Sequence, residues 1–275
     1  MTGVGTLLGE GRTAQVFAYG PGTVVKLLRP GFPDTLAELE ARGGSLIAAA
    51  YPAAPRCLGL VRIGGRPGVE YERIDGPSMD DLVRRRLWEL DRRARELGVL
   101  HAGMHAIRGA GLPTQRLALH AAIERAGPYL EAEAVEAIHT RVEVLPAGSS
   151  LCHGDLHPGN VLIADRLVII DWDNATSGNP AADVARSLFL VAEASTSRDD
   201  GVLAPIAPWI RGRFARTYLA AYRRERALDV VEVAAWRLPI MAARLAEAIV
   251  EEREGLLREI DAELASGRLS AVVPS

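Results

Sequence analysis

His153-Gly-Asp155-Leu-His157-Pro-Gly-Asn160-Val-Leu-Ile163-Ala-Asp-Arg-Leu167-Val-Ile-Ile170-Asp171-Trp-Asp173 is the stretch whose reading decides the fold. Residues 161–163 and 167–170 are short apolar runs on either side of Ala164-Asp165-Arg166, the pattern of a tight β-hairpin. Asn160 immediately precedes the first run and Asp171 immediately follows the second. An antiparallel register therefore sets an amide oxygen beside a carboxylate at one end of the ribbon. Both are hard oxygen ligands of the kind Mg²⁺ accepts, since that ion keeps several waters and takes few protein ligands beside substrate phosphates. Asp155, in the loop that enters the hairpin, is the remaining carboxylate and is suited to orienting a hydroxyl and taking its proton.

This is the layout of a phosphoryl-transfer site. The spacing Asp155-x-x-x-x-Asn160 equals that of the catalytic Asp and metal-binding Asn of a kinase catalytic loop, and Asp171 falls where the following metal-binding Asp belongs. With His153-Gly154 in place of the protein kinases' His-Arg, and Ile170-Asp171-Trp172 in place of Asp-Phe-Gly, the segment resembles the aminoglycoside phosphotransferase and choline kinase family of small-molecule kinases. The tail Gly178-Asn-Pro180-Ala-Ala-Asp183 extends the resemblance. By that resemblance Asp183 braces the catalytic loop by accepting its backbone N–H groups, with His153 as a further supporting residue.

Two other readings compete. Singly, His153, Asp155 and Asn160 are ordinary turn formers; jointly, at this spacing, they are more than that. Gly154-Asp155-x-His157 also resembles the first motif of two-metal phosphoesterases. Such sites need further histidine ligands downstream, and no histidine follows His157.

A kinase-like site requires a phosphate-covering loop and a lysine upstream. Leu8-Gly9-Glu-Gly11-Arg-Thr-Ala14-Gln-Val16 carries two glycines of a Gly-rich loop between apolar strand residues, with Ala14 at the third position. Ten residues beyond Val16 comes Thr23-Val-Val-Lys26-Leu-Leu. The 32 basic residues of the chain are 31 arginines and one lysine, and Lys26 is that lysine. A compact ammonium kept at one place suggests that a guanidinium fork does not fit there, and its expected role is contact with the nucleotide α- and β-phosphates. The next helix, with Asp34 as N-cap candidate, supplies the carboxylate that holds such a lysine. Glu40 matches the family position best, with Glu38 as the alternative, and Gly43-Gly44 suggests a short or broken helix.

Two further strands lie in residues 56–63 and 68–74, and Asp75-Gly76-Pro77 punctuates the chain. The resemblance places the hinge at about residues 72–77, with Tyr71 at the back of the nucleotide pocket and Glu72 and Ile74 offering backbone groups to the base. It implies an α+β, protein-kinase-like bilobal fold. Residues 1–74 form a small N-terminal nucleotide-binding lobe, an antiparallel sheet with one helix, and residues 75–275 form a larger, mostly helical catalytic and acceptor-binding lobe.

Helical periodicity runs over residues 80–105, 181–194, 208–226 and 230–265, with Pro239 as a kink or break in the last. His101 and His105, four apart, share a helix face. Without an intervening Glu and a third ligand they read as packed or half-exposed histidines rather than a metal pair, and so do His120 and His139. Glu225, Asp229, Glu232, Glu247, Glu251, Glu252 and Glu254 suggest an acidic cleft for a cationic acceptor, but interleaved arginines favour a solvated, ion-paired face.

A chain of 275 residues, 48% hydrophobic and 24% charged, is long enough for sizeable cores. A net charge of −3 argues against nucleic-acid binding. No run approaches the length of a membrane span, no leader pattern opens the chain, and Cys57 and Cys152 are too few for a disulfide scaffold. These features lead to the expectation of a cytoplasmic, Mg²⁺-dependent phosphotransferase. It moves the γ-phosphoryl group of ATP or GTP to a hydroxyl of a small molecule, an aminoglycoside or other antibiotic among the candidates. Asp155 is the catalytic residue, Asn160 and Asp171 hold the metal, and Gly9, Gly11, Val16, Lys26, Glu40, Glu72 and Ile74 serve the nucleotide. Asp173 is a supporting or acceptor-side carboxylate. The alternatives are a choline, amino-alcohol or sugar kinase and a kinase-fold nucleotide-binding protein without catalysis.

Overall fold

The structure, a computed structural model, describes residues 3–192 and 201–266. Contacts divide the chain into two units, one of residues up to 81 together with 159–174, the other of residues 82–158 and those from 175 on.

The first unit is built on an antiparallel sheet of β1 (Leu7–Glu10), β2 (Ala14–Ala18), β3 (Thr23–Leu28), β4 (Cys57–Ile63) and β5 (Arg66–Glu72), in the order β1-β2-β3-β5-β4. Between β3 and β4 runs α1 (Asp34–Ala50), which buries Ala37, Ala41, Gly44 and Ile47 at helical spacing. Ala14, Leu28, Ala37, Ala41 and Val69 form one core, with Cys57 and Tyr71 packed against it. Lys26 lies two residues before Leu28 on β3, so the strand alternation points it to the same, α1-covered face, between Val16 on β2 and Val69 on β5. The helix starts at Asp34 itself, with Pro33 in the cap position, so Asp34 is not the cap. Nor does the helix break at Gly43-Gly44. A Cβ on Gly44 would lie 3.1 Å from the Tyr71 hydroxyl and 3.4 Å from Cys57 Cβ, and this close approach of helix to sheet offsets the low helix propensity of glycine.

Four short strands follow. β6 (Ser150–Cys152) pairs with β9 (Thr176–Gly178), and β7 (Val161–Ile163) with β8 (Leu167–Ile169). The second pair is the hairpin read from sequence, with Val161 opposite Ile169 and the Ile170 N–H donating to Asn160 O over 2.9 Å. Its outward backbone groups are satisfied within the first unit, Ile163 N donating to Pro77 O and Ile169 N to Ala53 O. Arg166 adds bonds to Pro52 O and Glu72. The division read at residues 74/75 therefore differs from the contacts, which carry the first unit to residue 81 and bring 159–174 back to it.

α2 (Met79–Arg85) leads toward the helical part: α3 (Leu90–His105), α4 (Gln115–Ala126), α5 (Ala132–Val144), α6 (Pro180–Ala192), α7 (Ala207–Glu225), α8 (Val230–Ala235), α9 (Arg237–Leu245) and α10 (Val250–Ser266). The expected helix over 80–105 is thus two, because Arg86 leaves helical geometry at φ −139°, ψ 72°. Likewise residues 230–265 form three helices. The break falls at Trp236 and sets Pro239 in the first turn of α9, where a missing N–H costs nothing. The end of the helix expected over 181–194 lies outside the described residues. α3 and α7 pack closely: a Cβ on Gly98 would meet Tyr218 O at 2.5 Å and Tyr222 N at 2.8 Å. The expected class holds, α+β with an antiparallel-sheet lobe carrying one helix and a mostly helical remainder.

Candidate active site

In the first unit, candidate residues converge on the only lysine. Lys26 Nζ lies 3.3 Å from Glu40, 2.9 Å from Asp171 and 2.6 Å from Asp173, with 14% of its side chain exposed. Three elements make this possible. β3 points the ammonium toward α1, one helix face carries Glu40 while Glu38 is exposed, and the end of β8 turns Asp171 inward. Asp171 adopts φ +65°, a left-handed conformation that Asp tolerates better than most residues. The Tyr71 hydroxyl donates to Glu40 Oε1 over 3.0 Å, so Tyr71 orients the carboxylate that pairs with the lysine.

Burial works against the Lys26 charge, but Asp171, Glu40 and Asp173 outweigh it and its pKa is raised. Glu40 moves the opposite way for a carboxylate. Burial and the nearby Asp173 push it up to about 7 although Lys26 pulls it down. Three carboxylates around one ammonium are an excess of negative charge. Hard oxygen donors in such excess fit a divalent ion, which Asp171 and Asn160 could hold. Asn160 is buried, and its carbonyl closes the hairpin base through Ile170 N.

The glycine-bearing segment sits in the β1–β2 turn. Gly9 faces Val16 across the strands, and Gly11 N donates to Ala14 O over 2.9 Å. The Glu72 N–H is already donated to Arg56 O over 3.0 Å, because Glu72 ends β5 beside β4, and its carboxylate is paired with Arg56 and Arg166. The Glu72 N–H is thus engaged within the sheet, and Ile74 lies just beyond the strand.

In the second unit, Asp183 on α6 is fully buried and organises the loop that carries Asp155. Its Oδ2 accepts the His153 N–H over 2.8 Å and its Oδ1 the Gly154 N–H over 2.7 Å. His153, also buried, accepts the Asp155 N–H at Nδ1 over 3.2 Å. Gly154 supplies the positive φ, +77°, at the bend between them. Behind Asp183 stand His101 and His105, each with Nε2 3.1 Å from Oδ2, and behind these Tyr218 and Tyr222, each hydroxyl 2.7 Å from a histidine Nδ1. An ionised carboxylate only accepts, so both histidines donate from Nε2, and the tyrosines donate to Nδ1. Burial alone would raise the Asp183 pKa, but the hydrogen bonds from His101 and His105 hold it well below the carboxylate range. Burial pushes His105 down to about 4, so it is neutral in the fold.

Asp155 is not left to solvent alone. Arg186, one turn beyond Asp183 on α6, donates to Asp155 Oδ1 over 3.1 Å and also to Glu247. Glu247 pairs in turn with Arg244, and Arg244 with Glu252. Two of the acids suggested for an acidic acceptor cleft are therefore neutralised by arginines. Sequence reasoning missed Arg186 as a partner of Asp155, and His101 and His105 as partners of Asp183. The (i, i+4) histidine spacing was visible, but nothing local showed what it faced.

The model of the phosphotransferase enzyme family matches residues 4–236, which include every candidate from Gly9 to Asp183. The chain belongs to the phosphotransferase enzyme family. Its fold recurs in solved phosphotransferases. An aminoglycoside-3'-phosphotransferase of type VIII has a TM-score of 0.61 at 18% identity, over 86% of this chain and 92% of that one. A ternary complex of the phosphotransferase APH(2'')-IIa with streptomycin and ATP has a TM-score of 0.59 at 18% identity, over 93% and 91%. A putative fructosamine-3-kinase from Haemophilus somnus 129PT also reaches 0.59, at 12% identity, over 93% and 90%. No curated protein sequence matches the chain. Among the described residues of this phosphotransferase, no helix is long and apolar enough to cross a membrane.

Proposed function

We propose that the chain transfers the γ-phosphoryl group of ATP or GTP to a hydroxyl of a small molecule, in the cytoplasm and with Mg²⁺ as cofactor. The observation that carries this reading is the pairing of the only lysine with Asp171, a residue 145 positions away in the chain. Family membership and the nucleotide in the APH(2'')-IIa complex support it.

In this reading Lys26, oriented by Glu40, and the loop of residues 9–16 position the phosphates, and Ile74 meets the base. Asn160 and Asp171 would hold Mg²⁺, which when bound would supply charge neutralisation at the phosphates. Asp173 keeps Lys26 directed toward Asp171. Asp155 accepts the proton of the attacking hydroxyl, its N–H held by His153, the two preceding N–H groups by Asp183 and its Oδ1 by Arg186. Fixing the base in this way lowers the barrier mainly by orientation. The acceptor is a hydroxylated small molecule, with aminoglycosides first to be screened because several of the similar structures are named for them. Removing the base alone is the test. Asp155→Asn should retain the nucleotide-induced rise in melting temperature and lose turnover by orders of magnitude, read as radiolabelled phosphate transferred across a panel of aminoglycosides, other hydroxylated antibiotics and metabolic alcohols. Undiminished turnover removes Asp155 from this role. Nucleotide binding without transfer to any acceptor in the wild-type chain would favour a binding protein.

A further inference from the structure

Away from these residues, α4 and α5 each send one histidine into the seam between them. His120 Nδ1 and His139 Nδ1 are 2.5 Å apart. The ring centroids are 4.7 Å apart with planes inclined by 28°, so the rings meet nearly coplanar and edge to edge through these nitrogens. On the far edges the contacts are reciprocal. His120 Nε2 lies 2.6 Å from Glu143 Oε1 of α5, and His139 Nε2 lies 2.8 Å from Glu124 Oε1 of α4. A carboxylate facing each Nε2 fixes the ring orientation, because a flipped ring would turn a C–H toward it. It also fixes the tautomer: ionised carboxylates only accept, so the proton of each neutral ring is on Nε2 and both Nδ1 atoms present lone pairs. Two lone pairs at this separation repel unless a cation lies between them.

We propose that this seam is a binding site for a divalent transition-metal ion of the zinc class, with Nδ1 of His120 and of His139 as its protein ligands. Glu143 and Glu124 act as the carboxylates that grip the far nitrogen of a metal-bound imidazole, an arrangement that orients the ring and raises its basicity. Imidazole nitrogen suits zinc, copper and nickel. Zn–N bonds of about 2.0–2.1 Å in tetrahedral geometry set the two nitrogens roughly 3.3 Å apart, so the seam opens by less than about 1 Å to take the ion. His120 is 27% and His139 22% exposed, and a pocket of about 500 Å³, whose lining includes Glu124, Glu136, His139 and Glu143 beside three apolar residues, adjoins them. Solvent ligands have room there. Charge agrees as well. Glu124, Glu136 and Glu143 against Arg116, whose Nη1 lies 3.6 Å from Glu143, leave two negative charges, which a divalent ion balances and a shared proton only halves.

The test uses the full chain, stripped of metal and dialysed against Zn²⁺ near neutral pH with excess Mg²⁺ present to occupy hard oxygen sites. Wild type should bind one Zn²⁺ more per chain than H120Q/H139Q and gain melting temperature that the variant does not. With Cu²⁺ as probe, wild type should show the electron-spin signature of two imidazole nitrogens, absent from the variant. The variant's phosphotransfer should be unchanged, since neither histidine belongs to the proposed site. If the double variant fails to fold, E124Q/E143Q keeps both ligands and should weaken Zn²⁺ binding by about tenfold or more. Equal Zn²⁺ uptake by wild type and H120Q/H139Q, or by wild type and E124Q/E143Q, or a copper spectrum without imidazole nitrogen, overturns the proposal and leaves a shared proton between the rings.

Discussion

Replacing Asp183 by Asn keeps the shape of the side chain and removes its charge, and the geometry allows the cost to be worked out. Asp183 accepts four hydrogen bonds, from His101 and His105 Nε2 and the backbone of His153 and Gly154. The best placement of an Asn side chain keeps its oxygen where Oδ2 stands and turns its NH₂ toward the Gly154 N–H. One part-buried donor is then orphaned, at about 1–3 kcal/mol, and three charge-assisted bonds become neutral ones, each weaker by about 1 kcal/mol. A neutral side chain is less costly to bury, which offsets part of this. The sign is decided by the depressed pKa of Asp183, which shows that its surroundings favour the ionised form over the neutral one despite burial. A net loss of about 4 kcal/mol is expected, a large share of the roughly 5–15 kcal/mol that keeps a domain folded. Urea titration of both proteins at pH 7.5, followed by circular dichroism, measures it. A midpoint and slope giving a difference under about 1 kcal/mol would refute the account of Asp183 as a charged hub.

Acid should act on the same cluster through His105 before it reaches Asp183. His105 is neutral in the fold with a pKa of about 4 against an ordinary 6.5, so the unfolded chain takes up its proton first. The His105 contribution to stability should fall by about 3 kcal/mol as pH drops from 6.5 to 4. H105N should flatten that part of a melting-temperature profile, and an unchanged slope would clear His105 of responsibility. Gly98→Ala puts a methyl group 2.5 Å from Tyr218 O, so α3 and α7 must separate. A loss of about 1–3 kcal/mol is expected in chemical denaturation, and a variant as stable as wild type would mean that the helices are not so closely held. Arg186→Met removes the donor on Asp155 Oδ1 and leaves Glu247 to Arg244. If Asp155 is the base, kcat should fall on the order of tenfold to a hundredfold at unchanged nucleotide KM, with partial recovery in R186K. A KM effect alone would assign Arg186 to binding instead.

Much of this protein was legible in one dimension because its most informative features are local. The hairpin from Val161 to Ile169, the spacing of Asp155, Asn160 and Asp171, and the presence of one lysine among 32 basic residues are properties of neighbouring positions or of composition. A strand's two-residue period and a tight turn suffice to bring Asn160 beside Ile170. Helix boundaries were less legible where the chain leaves helical geometry without a breaker, as at Arg86. Side-chain partnership was least legible. Whether Glu38 or Glu40 meets Lys26 depends on how α1 is rotated against the sheet, and Gly44 sets that rotation by its close approach to Tyr71. That Asp173 joins Lys26, that Arg186 grips Asp155, and that His101 and His105 share one oxygen of Asp183 are contacts across 31 to 147 positions. Spacing along a chain says which residues share a face of one element, whereas the packing of elements decides which faces meet. The charges of this site acquired their partners from that packing.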